Sequence, residues 1–146
     1  MNTRPDKLSI VVFSGDFDRV HYALVLASGS QAAGIATTLF FTMEGARALC
    51  RNDEQNPPAW RALPLTTSQF TNGGAMDDAF KARGVGDFET LLRACIDMGV
   101  VFMVCEMGLA ALGIPREELR ADIPFVDGGV VTFLNDASKN GSILFI

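Results

Sequence analysis

The stretch GVVFMVCEMGLAALGIPREEL, residues 99–119, decides the fold. Its first part is an unbroken apolar run, and apolar residues return after Cys105 at the spacing of a short helix that Gly113 ends. A continuous apolar run is typical of a strand that helices cover on both faces of a parallel sheet. We therefore predict a buried strand over residues 100–104 and a short helix over residues 107–112.

The same alternation of a buried strand and a helix recurs on both sides of this stretch. It predicts further strands over residues 8–14, 36–42, 125–126 and 142–146, and helices that begin near Asp16, Glu44, Asp87, Pro115 and Asp127. Strands and helices in this order are joined by right-handed crossovers. The predicted fold class is α/β, a three-layer α/β/α sandwich with a mostly parallel sheet of about five strands.

One segment does not follow this alternation. Residues 51–86 contain three prolines and several glycines and show no sustained period. The length of 146 residues predicts a single domain, residues 1–146, because a chain of this size can bury one core. We expect residues 51–86 to form a long insertion or loop, which in compact domains is usually a lid, an interface or a mobile segment.

Composition excludes several classes of protein. A net charge of -5 argues against a nucleic-acid-binding surface, which needs clustered Lys and Arg. Asp97 and Glu106 interrupt the apolar stretch 94–114, so no membrane insertion is expected. The first apolar run is too short for a signal peptide, and three cysteines do not make a disulfide framework. We expect a cytoplasmic protein.

Cys105 is the residue with the most distinctive chemistry. It follows a predicted strand at the carboxyl edge of the sheet, where open α/β sheets gather ligands and reactive groups. If a helix opens at Glu106 or Met107, its backbone N–H groups favour the thiolate, the nucleophilic form of cysteine. The alternative is that Cys105 is a small buried apolar residue, as most free cysteines are.

The other reactive residue types give weaker signals. Cys95 lies on the apolar face of its helix, which favours core packing over a resolving thiol, and Cys50 is read as incidental. The single histidine, His21, provides neither a zinc cluster nor a Cys-His pair, so we read it as structural or at an interface. SGDFD at 14–18 lacks a phosphate-binding motif. No cofactor and no metal are expected.

Four segments together resemble the DsrE/DsrF-like family of small sulfur-relay proteins, in particular its single-chain, peroxiredoxin-like branch. They are KLSIVVFSGDFD at 7–18, TTLFFTMEG at 37–45, the stretch 99–119, and GGVVTFLNDA at 128–137 followed by SILFI. The resemblance covers most of the chain, and the cysteine segment is its most specific part. Glu-Met-Gly after the cysteine departs from the Ser-Met element expected there.

The resemblance implies that Cys105 holds sulfur as a persulfide. It further implies a homo-oligomer that exchanges sulfur with a small carrier protein or a low-molecular-weight persulfide donor, as a possible sulfurtransferase. Candidate auxiliary residues lie around the first strand's end and Cys105: Ser14, Gly15, Cys95, Glu106, Met107 and Gly108. Candidates for lowering the pKa of the thiol are Arg47, Arg61, Lys81 and Arg83.

Two other functions stay open beside an intracellular sulfur carrier. One is an oligomeric scaffold or small-ligand-binding module in which Cys105 is inert. The other is a thiol redox sensor, in which Cys105 forms a sulfenate or pairs with Cys95 or Cys50.

Overall fold

The computed structural model describes residues 3–51, 55 and 57–146. The strands are β1 (Lys7–Val12), β2 (Ala36–Phe41), β3 (Val101–Cys105), β4 (Phe125–Gly128) and β5 (Ser142–Phe145). The α-helices are α1 (Phe17–Ala32), α2 (Gly73–Ala82), α3 (Phe88–Asp97), α4 (Glu106–Ala111) and α5 (Val130–Asp136). Short 3-10 helices span Met43–Leu49, Ala59–Ala62 and Arg116–Glu118.

The five strands form one parallel sheet in the order β4-β3-β2-β1-β5. β3 and β4 are in register so that Cys105 lies beside Gly128. Helices lie on both faces of the sheet, and the α/β prediction is confirmed. The carboxyl ends of β3 and β4 meet at one edge, directly where α4 and α5 begin.

The two faces of the sheet are covered very differently. Side chains alternate along a strand, so Phe102 and Val104 point to one face and Met103 and Cys105 to the other. The first face holds the main core, in which α1 and α3 pack on the strands. The second face holds a small cluster of Phe40, Met103, Cys105 and Phe133, with Phe133 supplied by α5.

The segment 51–86 is more ordered than its composition predicted. Residues 73–82 form α2, and the side chain of Asn72 accepts a hydrogen bond from Ala75 N–H at its start. Trp60, in a 3-10 helix, is buried among the rings of Phe17 and Phe88. The expected long insertion or loop therefore contains helical segments at Ala59–Ala62 and Gly73–Ala82; residues 52–54 and 56 lie outside the described residues.

Most predicted elements have the expected positions, with differences at their ends. The helix near Glu44 and the one after Pro115 are 3-10 helices, and β3 includes Cys105 as its last residue. Neither Asp16 nor Asp18 caps α1 through its side chain: Asp18 binds Thr66 instead. Asp127 lies in β4, and Gly129 is the residue that caps α5.

The apolar stretch 94–114 folds as the end of α3, then β3 and α4, as predicted. Across the part of the chain that the structure describes, no helix combines the length and the apolar character that crossing a bilayer requires.

Candidate functional site

Cys105 occupies the junction between β3 and α4. It is the last residue of the strand and the N-cap of the helix, with extended backbone angles. Its Sγ atom accepts a hydrogen bond from the backbone N–H of Gly108 at 3.4 Å. A cap position leaves several backbone N–H groups of the first turn aimed at the capping side chain. At Cys105 one such donor, the Gly108 N–H, reaches the sulfur from the helix that the sequence predicted after the strand.

The thiol lies beneath the surface of this chain. Cys105 is only 1% exposed and packs with Phe40, Met103 and Phe133 on the second face of the sheet. The strand places it there, because Met103 and Cys105 share a face. Any reaction of the sulfur therefore requires a way through the residues that cover it.

Gly108 fits its place because it has no side chain. A Cβ atom there would lie 2.6 Å from Thr42 Oγ1 and 2.7 Å from the Met43 nitrogen. Met43 itself has a φ of 50°, the left-handed region that side chains other than glycine rarely adopt. Such a backbone costs energy and persists only where neighbours enforce it. The end of β2 and the first turn of α4 therefore hold each other closely beside the thiol.

Two shallow cavities flank the first turn of α4. One, of ≈ 360 Å³, is lined by Glu106, Met107, Asp127, Gly128, Gly129 and Thr132. The other, of ≈ 240 Å³, is lined by Glu106, Leu109, Ala110, Ile114, Arg116 and Asp127. Glu106 and Asp127 line both, so two carboxylates stand at the edge of the sheet next to Cys105. Met107 projects into solvent beside them.

Arg116 is the basic residue of this edge. Its guanidinium lies 3.0 Å from Asp127 Oδ1 and 5.3 Å from the centre of the Phe125 ring. Sequence reasoning missed Arg116, Asp127 and Thr132. A signal existed: β4 follows β3 in chain order, and residues that end neighbouring parallel strands meet at one edge.

The predicted auxiliary residues fall into two groups. Gly108 contacts the thiol, and Glu106 and Met107 line the cavity beside it. Ser14 and Gly15 lie at the end of β1: Ser14 Oγ accepts from Asp16 N–H, and Gly15 packs against Glu44. Ser14 and Gly15 thus contact β1's own loop and the Glu44 segment.

Cys95 and Cys50 lie away from Cys105. Cys95 is in the main core on the opposite face of the sheet, where its thiol bonds to the Leu24 carbonyl at 3.6 Å, and burial raises its pKa to about 12. Cys50 packs against that same core, and burial, assisted by the nearby Glu118 carboxylate, raises its pKa. The native fold therefore separates Cys95 from Cys105, and disulfide pairing between them needs a large rearrangement.

The basic residues considered for lowering the thiol pKa are engaged elsewhere or lie on other elements. Arg47 pairs with Glu44 and Arg61 with Asp78, while Lys81 and Arg83 lie at the end of α2. His21 is buried between Phe17 and Phe80, and its Nε2 atom lies 2.8 Å from the Gly86 carbonyl oxygen. Within the described ranges, no three His, Cys, Asp or Glu side chains stand close enough to share a metal ion.

The profile of the DsrE/DsrF/DrsH-like family matches residues 4–145. The chain belongs to this family. A curated relative, the uncharacterized protein YrkE of Bacillus subtilis (strain 168), is 26% identical over 162 residues and covers 100% of both chains. The family is associated with sulfur relay.

Two solved structures share the fold of this family member. MTH1491 of Methanobacterium thermoautotrophicum, a protein of unknown function, has a TM-score of 0.57 at 13% identity. The ychN protein of E. coli has a TM-score of 0.55 at 14% identity. In both comparisons the alignment covers 96% of this chain and 98% of the other. At these identities the likeness shows the fold.

Proposed function

We propose that this protein is an intracellular sulfur carrier that accepts sulfane sulfur on Cys105 and passes it to a partner thiol. The observation that carries the proposal is the Cys105 sulfur capping α4, where it accepts the Gly108 N–H hydrogen bond. Membership of a family associated with sulfur relay supports the same reading. The partner is a small sulfur-carrier protein or a low-molecular-weight persulfide.

The chemistry needs one nucleophile. The Cys105 thiolate attacks the outer sulfur of a donor R–S–S⁻, a new Sγ–S bond forms, and the bond to the donor's inner sulfur breaks, so RS⁻ leaves with the electron pair. The acceptor thiolate then attacks the outer sulfur of Cys105 persulfide and regenerates the Cys105 thiolate. Both steps are exchanges between sulfur atoms, and neither needs an external oxidant or reductant.

We also propose that copies of this chain associate through the second face of the sheet. On this face Ile143 and Phe145 of β5 are in register with Ser9 and Val11 of β1, and both β5 side chains are at least half exposed. Phe145 is 68% exposed and its ring lies 5.3 Å from that of Phe13. Apolar side chains this exposed on a sheet face are typical of surfaces that another chain covers.

Sedimentation of the purified protein tests the association. We expect wild type to sediment as an oligomer and Phe145→Glu to sediment as a smaller species, because a buried carboxylate is costly. Tyr22→Glu, on the exposed side of α1, is the matched control and should sediment like wild type. A monomeric wild type would reject the proposed association.

Intact-mass measurement tests the carrier function. After treatment with a low-molecular-weight persulfide, wild type should gain about 32 Da, the mass of one sulfur atom. Cys95→Ser and Cys50→Ser should gain the same mass, and Cys105→Ser should gain none. Equal gain by wild type and Cys105→Ser would contradict the proposal.

The burial of Cys105 favours a second candidate function, an oligomeric scaffold with an inert cysteine. In that case the thiol only fills the small cluster around Phe133. The Cys105→Ser protein would then keep its assembly, and wild type would gain no sulfur after donor treatment.

A further inference from the structure

We infer that α5 is a lid over Cys105, and that sulfur reaches the thiol when this helix moves away from the sheet. This inference rests on the proposed function for its purpose, since it describes how a buried sulfur carrier is loaded. Movement of α5 changes the access of any reagent to Cys105, and the alkylation rate of Cys105 measures that access without a sulfur donor.

The inner contact of α5 is concentrated in one side chain. Phe133 is 4% exposed, packs in the cluster that contains Cys105, and stacks on Phe40 with ring centres 4.8 Å apart. The apolar neighbours Val130, Val131 and Leu134 point outward, and Val131 is 72% exposed. A seven-residue helix with a single buried ring has few apolar packing contacts to lose when it opens.

Glycines precede α5, and polar contacts to the sheet hold its last residue. Gly128 and Gly129 precede the helix, and at Gly129 an added Cβ would meet nothing within 4 Å. After the helix, Asp136 carries the tethers to the sheet: Oδ2 lies 2.7 Å from Lys7 Nζ and accepts from Thr38 Oγ1 at 2.7 Å. When such contacts open, both groups can hydrogen-bond to water instead, which offsets part of what is lost.

A cavity lies beside this contact, at the start of α5. The ≈ 360 Å³ cavity lies between Met107 of α4 and Thr132 of α5, and Gly128 forms part of its wall. Gly128 is in register with Cys105 on the neighbouring strand, so both positions face α5. Gly128 is also tightly packed, since an added Cβ would lie 2.9 Å from Met103 Sδ and 3.0 Å from Thr132 Cγ2. Outward movement of Phe133 and Thr132 would join the cavity to the sulfur.

Alkylation kinetics on the native protein test the lid, with iodoacetamide as the neutral probe and peptide mass to assign each cysteine. Wild type should react slowly at Cys105. Phe133→Ala should react about a hundredfold faster there, because removing a buried aromatic ring weakens the closed state strongly. Cys95, on the other face of the sheet, should stay protected in both proteins.

Two further variants keep the test decisive. Asp136→Asn keeps Phe133 but weakens the contacts at the end of α5, so the alkylation rate of Cys105 should rise several-fold. This variant serves as the test if Phe133→Ala fails to fold. Leu92→Ala, in α3 on the opposite face, destabilises the main core and should leave the Cys105 rate unchanged. An unchanged Cys105 rate in both Phe133→Ala and Asp136→Asn, or equal acceleration of Cys95, would overturn the lid.

Sulfur uptake from a low-molecular-weight persulfide, measured on wild type and Phe133→Ala, distinguishes the lid from the proposed sulfur-carrier function. Fast alkylation of Phe133→Ala without any sulfur uptake would support the lid and reject the sulfur carrier. Sulfur uptake by wild type as fast as by Phe133→Ala would support the carrier and reject the lid.

Discussion

The backbone N–H of Gly108 donates a hydrogen bond to the Sγ atom of Cys105 across 3.4 Å. This contact joins the end of β3 to the first turn of α4 and orients the one thiol that faces α5. Thr42 Oγ1 and the backbone nitrogen of Met43 approach Gly108 so closely that a side chain at this position has no room.

Replacement of this glycine tests the close approach. Gly108→Ala should lower the free energy of unfolding by about 1–2 kcal/mol, because overpacking outweighs the better helix propensity of alanine. It should also displace α4 from the thiol and alter the rate at which Cys105 is alkylated. Urea unfolding and peptide-resolved alkylation measure the two effects.

Gly29→Ala is the matched control for this variant. Gly29 is exposed in the interior of α1, and a Cβ there would meet nothing within 4 Å. The substitution should raise the free energy of unfolding by roughly 0.5–1 kcal/mol through helix propensity alone. If both alanine variants were equally stabilised, the crowding around Gly108 would not be real.

Asp77 supplies a pH-dependent test of the main core. Burial raises the pKa of its carboxyl, and the Phe88 N–H bond at 2.7 Å only partly offsets this. The pKa of the Asp77 carboxyl is therefore higher in the folded protein than in the unfolded chain, so the folded protein binds this proton more tightly. Wild type consequently loses stability as the pH rises from about 3.8, the ordinary value, through the pKa of the folded state. Asp77→Asn keeps the hydrogen-bond acceptor and should lack this loss.

We therefore expect the stability of Asp77→Asn relative to wild type to increase between acid and neutral pH. Urea unfolding at several pH values measures the difference directly. Asp77→Leu removes the acceptor and should be less stable than Asp77→Asn at every pH, by about 1–3 kcal/mol. A pH-independent difference between wild type and Asp77→Asn would contradict the raised pKa.

The contribution of Asp136 to stability should depend on pH in the opposite direction to that of Asp77. Partial burial disfavours its charge, but hydrogen bonds from Lys7 and Thr38 outweigh that and hold its pKa below the ordinary value of 3.8. Its stabilisation is therefore present above that value and lost as pH falls through the folded pKa. Asp136→Asn should cost about 1 kcal/mol at neutral pH and little in acid, as measured by urea unfolding. A cost that grows on acidification would contradict this account.

The sheet could be predicted from the sequence because its signals are local. The runs around Ile10, Leu39 and Phe102 are continuously apolar, which is the pattern of strands covered on both faces. The glycine that ends α4, Gly113, has a φ of 66°, as a helix stop requires. The handedness of the crossovers then sets which face of the sheet each connecting helix covers, but it does not fix the order of the strands.

The features that escaped prediction depend on contacts distant in sequence. α2 begins with Gly73 and Gly74, which are poor helix formers. Its position is fixed by close packing: a Cβ atom added at Gly73 would lie 2.6 Å from the Trp60 carbonyl oxygen, and one added at Gly74 would lie 3.0 Å from Arg61 Nε. Asp127 is a residue type that commonly caps helices. It nevertheless lies in β4, because this segment pairs with β3, where Asp127 is in register with Val104.

The position of Cys105 at the end of β3 could be predicted from the sequence, but the helix that buries it could not. Placing Cys105 at the end of a strand needed only the apolar run before it. Its cover is Phe133, 28 residues further along, and nothing in the periodicity around Cys105 indicates that α5 lies there. Which face of the sheet a residue occupies also depends on register, and a shift of one residue would reverse it.

Locating the extra sulfur tests the central claim most directly. Wild type treated with a low-molecular-weight persulfide, then alkylated and digested, should carry one additional sulfur, about 32 Da, on the peptide that contains Cys105. The peptides of Cys50 and Cys95 should stay unmodified. Additional sulfur on either of those two cysteines, with none on Cys105, would contradict the account.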